Sequence, residues 1–102
     1  MARLAQLRTY TINKGEMEEF VAVWRDQVVP LRRHFGFIVD GGWVYAEANK
    51  FVWMVSLDGT PDEWEAKTKA YIESPERQNM KPNPADFIAH MDITMIQSVF
   101  GE

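Results

Sequence analysis

The feature that most constrains the fold lies near the start of the chain, where a strand pattern runs directly into a helix pattern. Residues 7–12 (LRTYTI) favour a strand, residues 13–15 (NKG) favour a tight turn, and apolar residues then recur at intervals of three and four. The order of strand and helix repeats later in the chain. It predicts a small split βαβ domain whose sheet has helices on one face and none on the other. Because a bare face needs a partner or a ligand, we expect function to lie there.

The first helix is predicted from an apolar stripe that continues past a proline. Its residues are Met17, Phe20, Val21, Trp24, Val28, Leu31 and Phe35. Pro30 removes one backbone donor and crowds the carbonyl of Asp26, so we expect a kink there, with residues 31–35 as a bent last turn. The cations that suit the end of this helix electrostatically are Arg32, Arg33 and His34.

Four strands and a second helix complete the pattern. The strands are expected at residues 4–12, 37–47, 51–57 and 89–100. Gly41 and Gly42, inside the second strand, indicate a bulge or a close approach to the backbone. Thr60, followed by a proline and by Glu63, predicts a capping box at the start of the second helix. The order β-α-β-β-α-β predicts an α+β, ferredoxin-like fold, an antiparallel sheet with both helices on one face.

Length and composition exclude several classes of function. With 102 residues the chain is expected to form one domain, residues 1–102, and its net charge of −4 disfavours binding to nucleic-acid phosphates. Cysteine is absent and the two histidines stand far apart, so we expect no metal site and no cofactor. No apolar run approaches the roughly 20 residues that cross a bilayer. The start of the chain lacks a signal segment, so we expect a cytoplasmic protein that does not bind membranes.

Several short motifs, taken in order and together with the acidic second helix, resemble the NIPSNAP family over nearly the whole chain. The motifs are residues 7–11 (LRTYT), 13–15 (NKG), Phe20 with Trp24, 30–32 (PLR), 35–37 (FGF), 42–43 (GW), Trp53 and 74–76 (SPE). The resemblance implies a dimeric α/β barrel, in which two ferredoxin-like sheets face each other in a homodimer or a larger homo-oligomer. That superfamily contains cofactor-independent oxygenases, haem-degrading enzymes, isomerases and lyases, whereas NIPSNAP members generally lack an agreed catalytic activity.

Polar side chains on the first and fourth strands form a candidate site. Arg8 and Tyr10 share one side of the first strand, and because burying an arginine beneath helices is costly, we place both on the open face. The same argument places His90 and Asp92 on that face. Since the two strands should be antiparallel neighbours, Arg8 or Tyr10 is expected near Asp92. The alternatives are an ion-pair or hydrogen-bond network, and a ligand site where Arg8 holds an anion or carbonyl and His90 handles a proton.

Three more residues complete the candidate site. Trp43 and Trp53 are interpreted as core or interface residues, with stacking on a ligand as the alternative. His34 suits the end of a helix, and the alternative is a place at the mouth of a cavity. The site is expected between the sheet and either the dimer partner or the helices. Its ligand-binding residues are Arg8, Tyr10, His34, Trp43, Trp53, His90 and Asp92.

Two classes of function follow from these observations. We favour a small-molecule binding or assembly module, whose ligand would be small and apolar or aromatic. The alternative is a cofactor-independent oxygenase or isomerase-type enzyme that acts on such a metabolite in the barrel cavity. The binding module is preferred because the oxygenases of the superfamily tend to use an Asn/Trp/His-type constellation, which cannot be assembled from this sequence.

Overall fold

One four-stranded antiparallel sheet, in the order β2-β3-β1-β4, organises the computed structural model, which describes residues 3–100. The strands are β1 (Arg3–Ile12), β2 (Ile38–Tyr45), β3 (Lys50–Asp58) and β4 (Ile88–Gln97). The α-helices are α1 (Met17–Val23), α2 (Val29–His34), α3 (Pro61–Glu73) and α4 (Pro75–Gln78). Short 3-10 turns cover Ala46–Ala48 and Pro84–Phe87. This is the predicted α+β, ferredoxin-like fold.

The core lies between one face of the sheet and the helices. On β3, Phe51 and Trp53 are buried, while Val52 and Met54 point to the other face and are partly exposed. Residues 17–34 form the first helical stretch, and its Trp24 packs edge-on against Phe51 and Trp53, with ring centres 4.9 and 5.7 Å apart. We call the face that carries Phe51 and Trp53 the helix side, and the face that carries Val52 and Met54 the open face.

A wider turn interrupts the first helical stretch just before Pro30. Trp24–Val28 forms one π-helical turn, and the N–H of Val29 donates to the carbonyl of Trp24, five residues back. The helix α2 then begins at Val29 with Pro30 in its first turn, where a missing N–H costs little. The irregularity predicted at Pro30 is therefore present as a π-helical turn directly before the proline, whereas residues 31–34 continue as regular helix and do not form a bent last turn.

The glycine pair in β2 allows both a bulge in the strand and a close approach of aromatic rings to its backbone. The pairing of β2 with β3 shifts register between Val39 and Gly41, and Gly41 has a φ of 148°, which residues with a side chain rarely adopt. A Cβ on Gly42 would lie 2.6 Å from the ring of Trp24 and 2.8 Å from the ring of Phe51. Both alternatives predicted for this pair are therefore present.

The start of α3 and the end of β4 show where local signals succeed and fail. The N–H of Glu63 donates to Oγ1 of Thr60 at 3.1 Å, and the N–H of Thr60 donates to Oε1 of Glu63 at 2.9 Å. The predicted capping box is therefore confirmed.

By contrast, β4 ends at Gln97 and does not continue to Phe100 as predicted. Val99 and Phe100 leave the sheet with their side chains exposed.

Candidate functional site

A partly open pocket of about 190 Å³ lies between the helix side of the sheet and the helices. The strands contribute Arg8, Tyr10, Trp53 and Met91. The first helical stretch contributes Phe20, Trp24, Val28 and Arg32. The second half of the chain adds Tyr71, Ile72 and Arg77. The walls thus consist mainly of aromatic and aliphatic side chains and carry three arginines, and of the described residues that line the pocket none is acidic.

Arg32 reaches the pocket because it continues the buried line of the first helical stretch. Trp24, Val28 and Arg32 follow one another at intervals of four residues, so they lie along one side of the helix. Arg32 is only 5% exposed, whereas Arg33 and His34 beside it are exposed. Sequence reasoning missed Arg32 as a site residue and treated it as a cation that favours the helix end. Its four-residue spacing from Val28 was the signal that could have identified it.

Arg8 and Arg32 share an aromatic neighbour in the pocket. The Cζ atom of Arg8 lies 5.6 Å from the ring centre of Trp53, and that of Arg32 lies 5.7 Å from it. Arg32 also stacks on the ring of Tyr71 at 4.1 Å, and Arg8 lies 5.8 Å from the ring of Tyr10. Such contacts are worth roughly 0.5–2 kcal/mol each. In this arrangement Nε of Arg8 and both Nε and Nη1 of Arg32 have no hydrogen-bond acceptor among residues 3–100.

Burial without a counter-charge shifts the ionisation of the pocket residues. Burial lowers the pKa of Arg32 to about 10; Tyr71 opposes this shift and the positive charge of Arg8 adds to it. Burial also raises the pKa of the Tyr10 hydroxyl, and the charge of Arg8 partly offsets that rise. At neutral pH the pocket therefore holds a neutral Tyr10 beside cations, and the charge of Arg32 is disfavoured.

Arg8 and Tyr10 lie on the helix side of the sheet, so their predicted place on the open face is wrong. Tyr10 is 5% exposed and packs edge-on against Trp53, with ring centres 6.5 Å apart. An arginine beneath helices proved tolerable because Arg8 is only half-buried at the pocket and its Cζ atom lies 5.8 and 5.6 Å from the ring centres of Tyr10 and Trp53.

Arg8 and Asp92 therefore do not pair, and the expected proximity between them is also wrong. In the register of β1 and β4, Arg8 lies opposite Ile93, while Thr9 lies opposite Asp92. Since successive side chains point to opposite faces, Asp92 is on the open face. Its Oδ1 atom lies 3.3 Å from Nε2 of His90, and both side chains are 65% exposed. The assignment of His90 and Asp92 to the open face thus agrees with the register.

The remaining predicted residues lie away from the pocket. Trp43 is on the open face, opposite Val52, and is 56% exposed. His34 lies at the end of α2, in a separate surface depression that also contains Pro30 and Met80. Of the seven predicted residues, the pocket brings together only Arg8, Tyr10 and Trp53.

Tyr71 and Arg77 are pocket residues for which the sequence carried no signal of a site. Tyr71 is recognisable from its spacing as an inward-facing residue of α3, and Arg77 as a residue of a short helix that follows Ser74. Both reach the pocket only because α3 and α4 fold back over the sheet, as the stacking of Tyr71 on Arg32 shows.

Residues 3–100 contain neither a cluster of metal ligands nor a membrane-spanning helix. In that range, no three or more His, Cys, Asp or Glu side chains are grouped so as to hold a metal ion. Nor does any described helix have the length and apolar character needed to span a membrane.

NIPSNAP-domain proteins of known structure share this fold. A NIPSNAP domain protein from Burkholderia xenovorans has a TM-score of 0.79 at 20% sequence identity, over 91% of each chain. A NIPSNAP family protein from Agrobacterium tumefaciens has a TM-score of 0.84 at 15% identity, over 95% of this chain and 86% of that one. The resemblance to the NIPSNAP family seen in the sequence is therefore confirmed at the level of the fold.

A third similar structure comes from a protein with a different description. A proposed antibiotic biosynthesis monooxygenase from Bacteroides thetaiotaomicron has a TM-score of 0.72 at 16% identity, over 95% of this chain and 90% of that one. No protein-family model and no curated protein matches the sequence. At these identities the similarity to solved structures establishes the fold, and function has to be argued from the pocket.

Proposed function

We propose that the protein is a NIPSNAP-type binding protein that takes a small apolar or aromatic ligand into the pocket between its helices and its sheet. The observation that supports this most strongly is the pocket itself, about 190 Å³ in volume and walled by Trp24, Trp53 and Tyr71. An engineered cavity of roughly 150 Å³ in another protein holds benzene. A ligand with a single six-membered ring therefore fits here, and apolar walls with a few polar groups are typical of ligand sites.

The composition of the pocket favours binding over catalysis. Among the described residues that line it there is no His, Cys, Lys, Asp or Glu, the side chains that most often transfer protons or act as nucleophiles. His34 and His90 are both exposed and lie outside it. Because burial raises the pKa of Tyr10, its hydroxyl keeps its proton at neutral pH and is a poor base. The pocket is thus better suited to hold a molecule than to transform it.

Thermal unfolding with a panel of small aromatic compounds, neutral and acidic, tests this function. Ala85 is exposed at the rim of the pocket, so Ala85→Trp should place an indole across the opening. Ala66→Trp adds the same ring to an exposed position of α3 away from the pocket and serves as the control. A ligand-dependent rise in Tm that Ala85→Trp removes and Ala66→Trp retains is the expected result. If no compound raises Tm, the binding function is wrong.

We further propose that the protein is a homodimer joined through the open face. Large apolar side chains from three strands are exposed on this face: Leu7, Ile38, Trp43, Tyr45 and Ile96. Contiguous apolar surface of this kind is unusual on a monomer and marks an interaction site. The resemblance to a superfamily of dimeric barrels supports the same arrangement. Sedimentation equilibrium at micromolar concentration should give twice the chain mass of 11.9 kDa, and a mass of 11.9 kDa would contradict the dimer.

The second candidate function is an oxygenase or isomerase-type activity in the same pocket. It is favoured by the similarity of fold to the proposed antibiotic biosynthesis monooxygenase. Oxygen consumption, or conversion of a compound that raises Tm, would support this alternative. A bound compound that is recovered unchanged after prolonged incubation in air would favour the binding protein.

A further inference from the structure

The buried N–H groups that lack an acceptor in the protein are concentrated on residues of the pocket. Six buried side-chain polar atoms have no partner among residues 3–100, and five of them belong to pocket residues. These five are Nε of Arg8, Nε and Nη1 of Arg32, and Nε1 of Trp24 and of Trp53. All five are donors, whereas the sixth, Oγ1 of Thr68, lies outside the pocket. Five donor atoms of pocket residues are therefore buried without an acceptor within hydrogen-bond distance.

Nothing in the described protein supplies the opposite charge. The ion pairs found among residues 3–100 are Arg3 with Asp40, Arg25 with Asp26, and His90 with Asp92. None involves Arg8 or Arg32. Buried arginines are ordinarily paired with a carboxylate, because an uncompensated cation is costly to keep away from water. The buried Arg32 and the half-buried Arg8 both lie near the ring of Trp53 without such a partner, and their positive charge favours an anion there.

We propose that the ligand carries a carboxylate, which is held by Arg8 and Arg32 while an aromatic or short apolar body lies among the rings of the pocket. This inference rests on the proposed binding function and specifies its ligand class. A guanidinium group presents N–H donors in a planar fork that matches the two oxygens of a carboxylate. The burial of Arg32, only 5% exposed, adds specificity, since a neutral ligand would leave its charge uncompensated.

The volume of the pocket sets the size of the ligand. A pocket of about 190 Å³ takes one six-membered ring with a small substituent, and Trp24 and Trp53 offer it aromatic edges and faces. Benzoate meets each of these requirements. Benzamide has nearly the same shape and no charge, so the two compounds differ mainly in the feature that the arginines are proposed to recognise.

Calorimetric titration of the intact protein with benzoate and with benzamide tests the inference. We expect benzoate to bind at least about tenfold more tightly, because only benzoate neutralises the arginines. Arg32→Met should remove this preference, and Arg33→Met, at the exposed neighbouring position, should keep it. Circular dichroism of each variant verifies the fold. Arg8→Met provides an independent test of the same preference if Arg32→Met does not fold.

The outcomes separate this inference from the function on which it rests. Equal binding of benzoate and benzamide would contradict the proposed preference for a carboxylate ligand but would still support the binding function. A preference for benzoate that survives Arg32→Met and Arg8→Met would also overturn it, because the anion would then bind elsewhere. If neither these compounds nor neutral aromatics such as indole bind, the proposed function itself is wrong.

Discussion

Arg8 and Arg32 approach the same indole ring, that of Trp53, with their Cζ atoms 5.6 and 5.7 Å from its centre. One arginine comes from the central strand β1 and the other from the end of the first helical stretch. No acidic side chain among the described pocket residues neutralises either of them. The folded protein therefore retains Arg32 as a buried cation at an electrostatic cost, which is typical of a site that keeps binding capacity at the expense of stability.

Arg32→Met is expected to stabilise the protein without ligand. The pKa of Arg32 is lowered to about 10, well below its ordinary value, so below about pH 10 the folded state bears the full penalty of the charge. Methionine fills similar space without that charge, and we expect a gain of roughly 1–3 kcal/mol in the free energy of unfolding, less what is lost with the stacking on Tyr71. Urea unfolding at neutral pH measures it.

The pH dependence of that gain follows from the same shift. The advantage of Arg32→Met should be constant at neutral pH and shrink above about pH 10, where folded wild-type protein begins to release the proton of Arg32. Arg33→Met, at an exposed position, should change the free energy of unfolding by less than about 0.5 kcal/mol. A loss of stability in Arg32→Met would show that its aromatic stacking outweighs the cost of its buried charge.

Gly42→Ala should weaken both the fold and the pocket. The added Cβ would lie 2.6 Å from the ring of Trp24, so this ring has to move, at a cost of about 1–3 kcal/mol. Because Trp24 lines the pocket, ligand-induced stabilisation should fall as well. Gly15→Ala is the control: its φ of 81° strains an alanine, but its Cβ meets no atom within 4 Å. If both variants bind ligand equally well, Trp24 has not been displaced.

Asp92→Ala should have little effect on stability. Its partner is His90, both side chains are 65% exposed, and exposed ion pairs typically contribute about 0–1 kcal/mol. A loss of several kcal/mol in the free energy of unfolding would mean that Asp92 compensates a buried charge, contrary to the register of β1 and β4. Thermal melts with and without Asp92→Ala, both in chains that carry Trp43→Lys so that the open face stays exposed, distinguish these results.

Trp43→Lys is expected to break the proposed homodimer. It puts a charge on the open face, on the edge strand β2, where burial against a second copy would be costly. Val44→Lys adds the same charge to the neighbouring exposed residue, whose side chain points to the helix side. Sedimentation equilibrium should give a monomer for the first variant and a dimer for the second. If both variants are dimers, the open face is not the interface.

Thr60→Ala should lower the free energy of unfolding by about 1 kcal/mol, because it removes the side-chain acceptor from the capping box. Urea unfolding of the variant and of wild type measures the loss.

The hydrogen bond from the backbone of Thr60 lowers the pKa of Glu63 below its ordinary 4.5. The stabilisation that the ionised Glu63 side chain provides is therefore present above pH 4.5 and lost as the pH falls through the lower pKa of the folded state. Urea unfolding of wild type and Glu63→Gln should show a difference at neutral pH that disappears in acid.

The sequence by itself determined the elements and their order. The alternation of residues 7–12, the stripe from Met17 to Phe35 and the capping box at Thr60 are local patterns, and each is confirmed by an element of the structure. These patterns depend on neighbours a few residues away in the chain. The order of the elements then left few topologies to choose from, so the ferredoxin-like sheet could also be predicted.

Only the tertiary structure decided which face of the sheet carries the site. Alternation divides β1 into two sets of side chains, but it does not say which set the helices cover. The cost of burying an arginine argued for the open face, and that argument failed because Trp53 and Tyr10, separated from each other by forty residues and more, stack around Arg8. Arg32 joins them from a helix. Such a pocket is built from contacts between distant segments, which no local pattern in the sequence encodes.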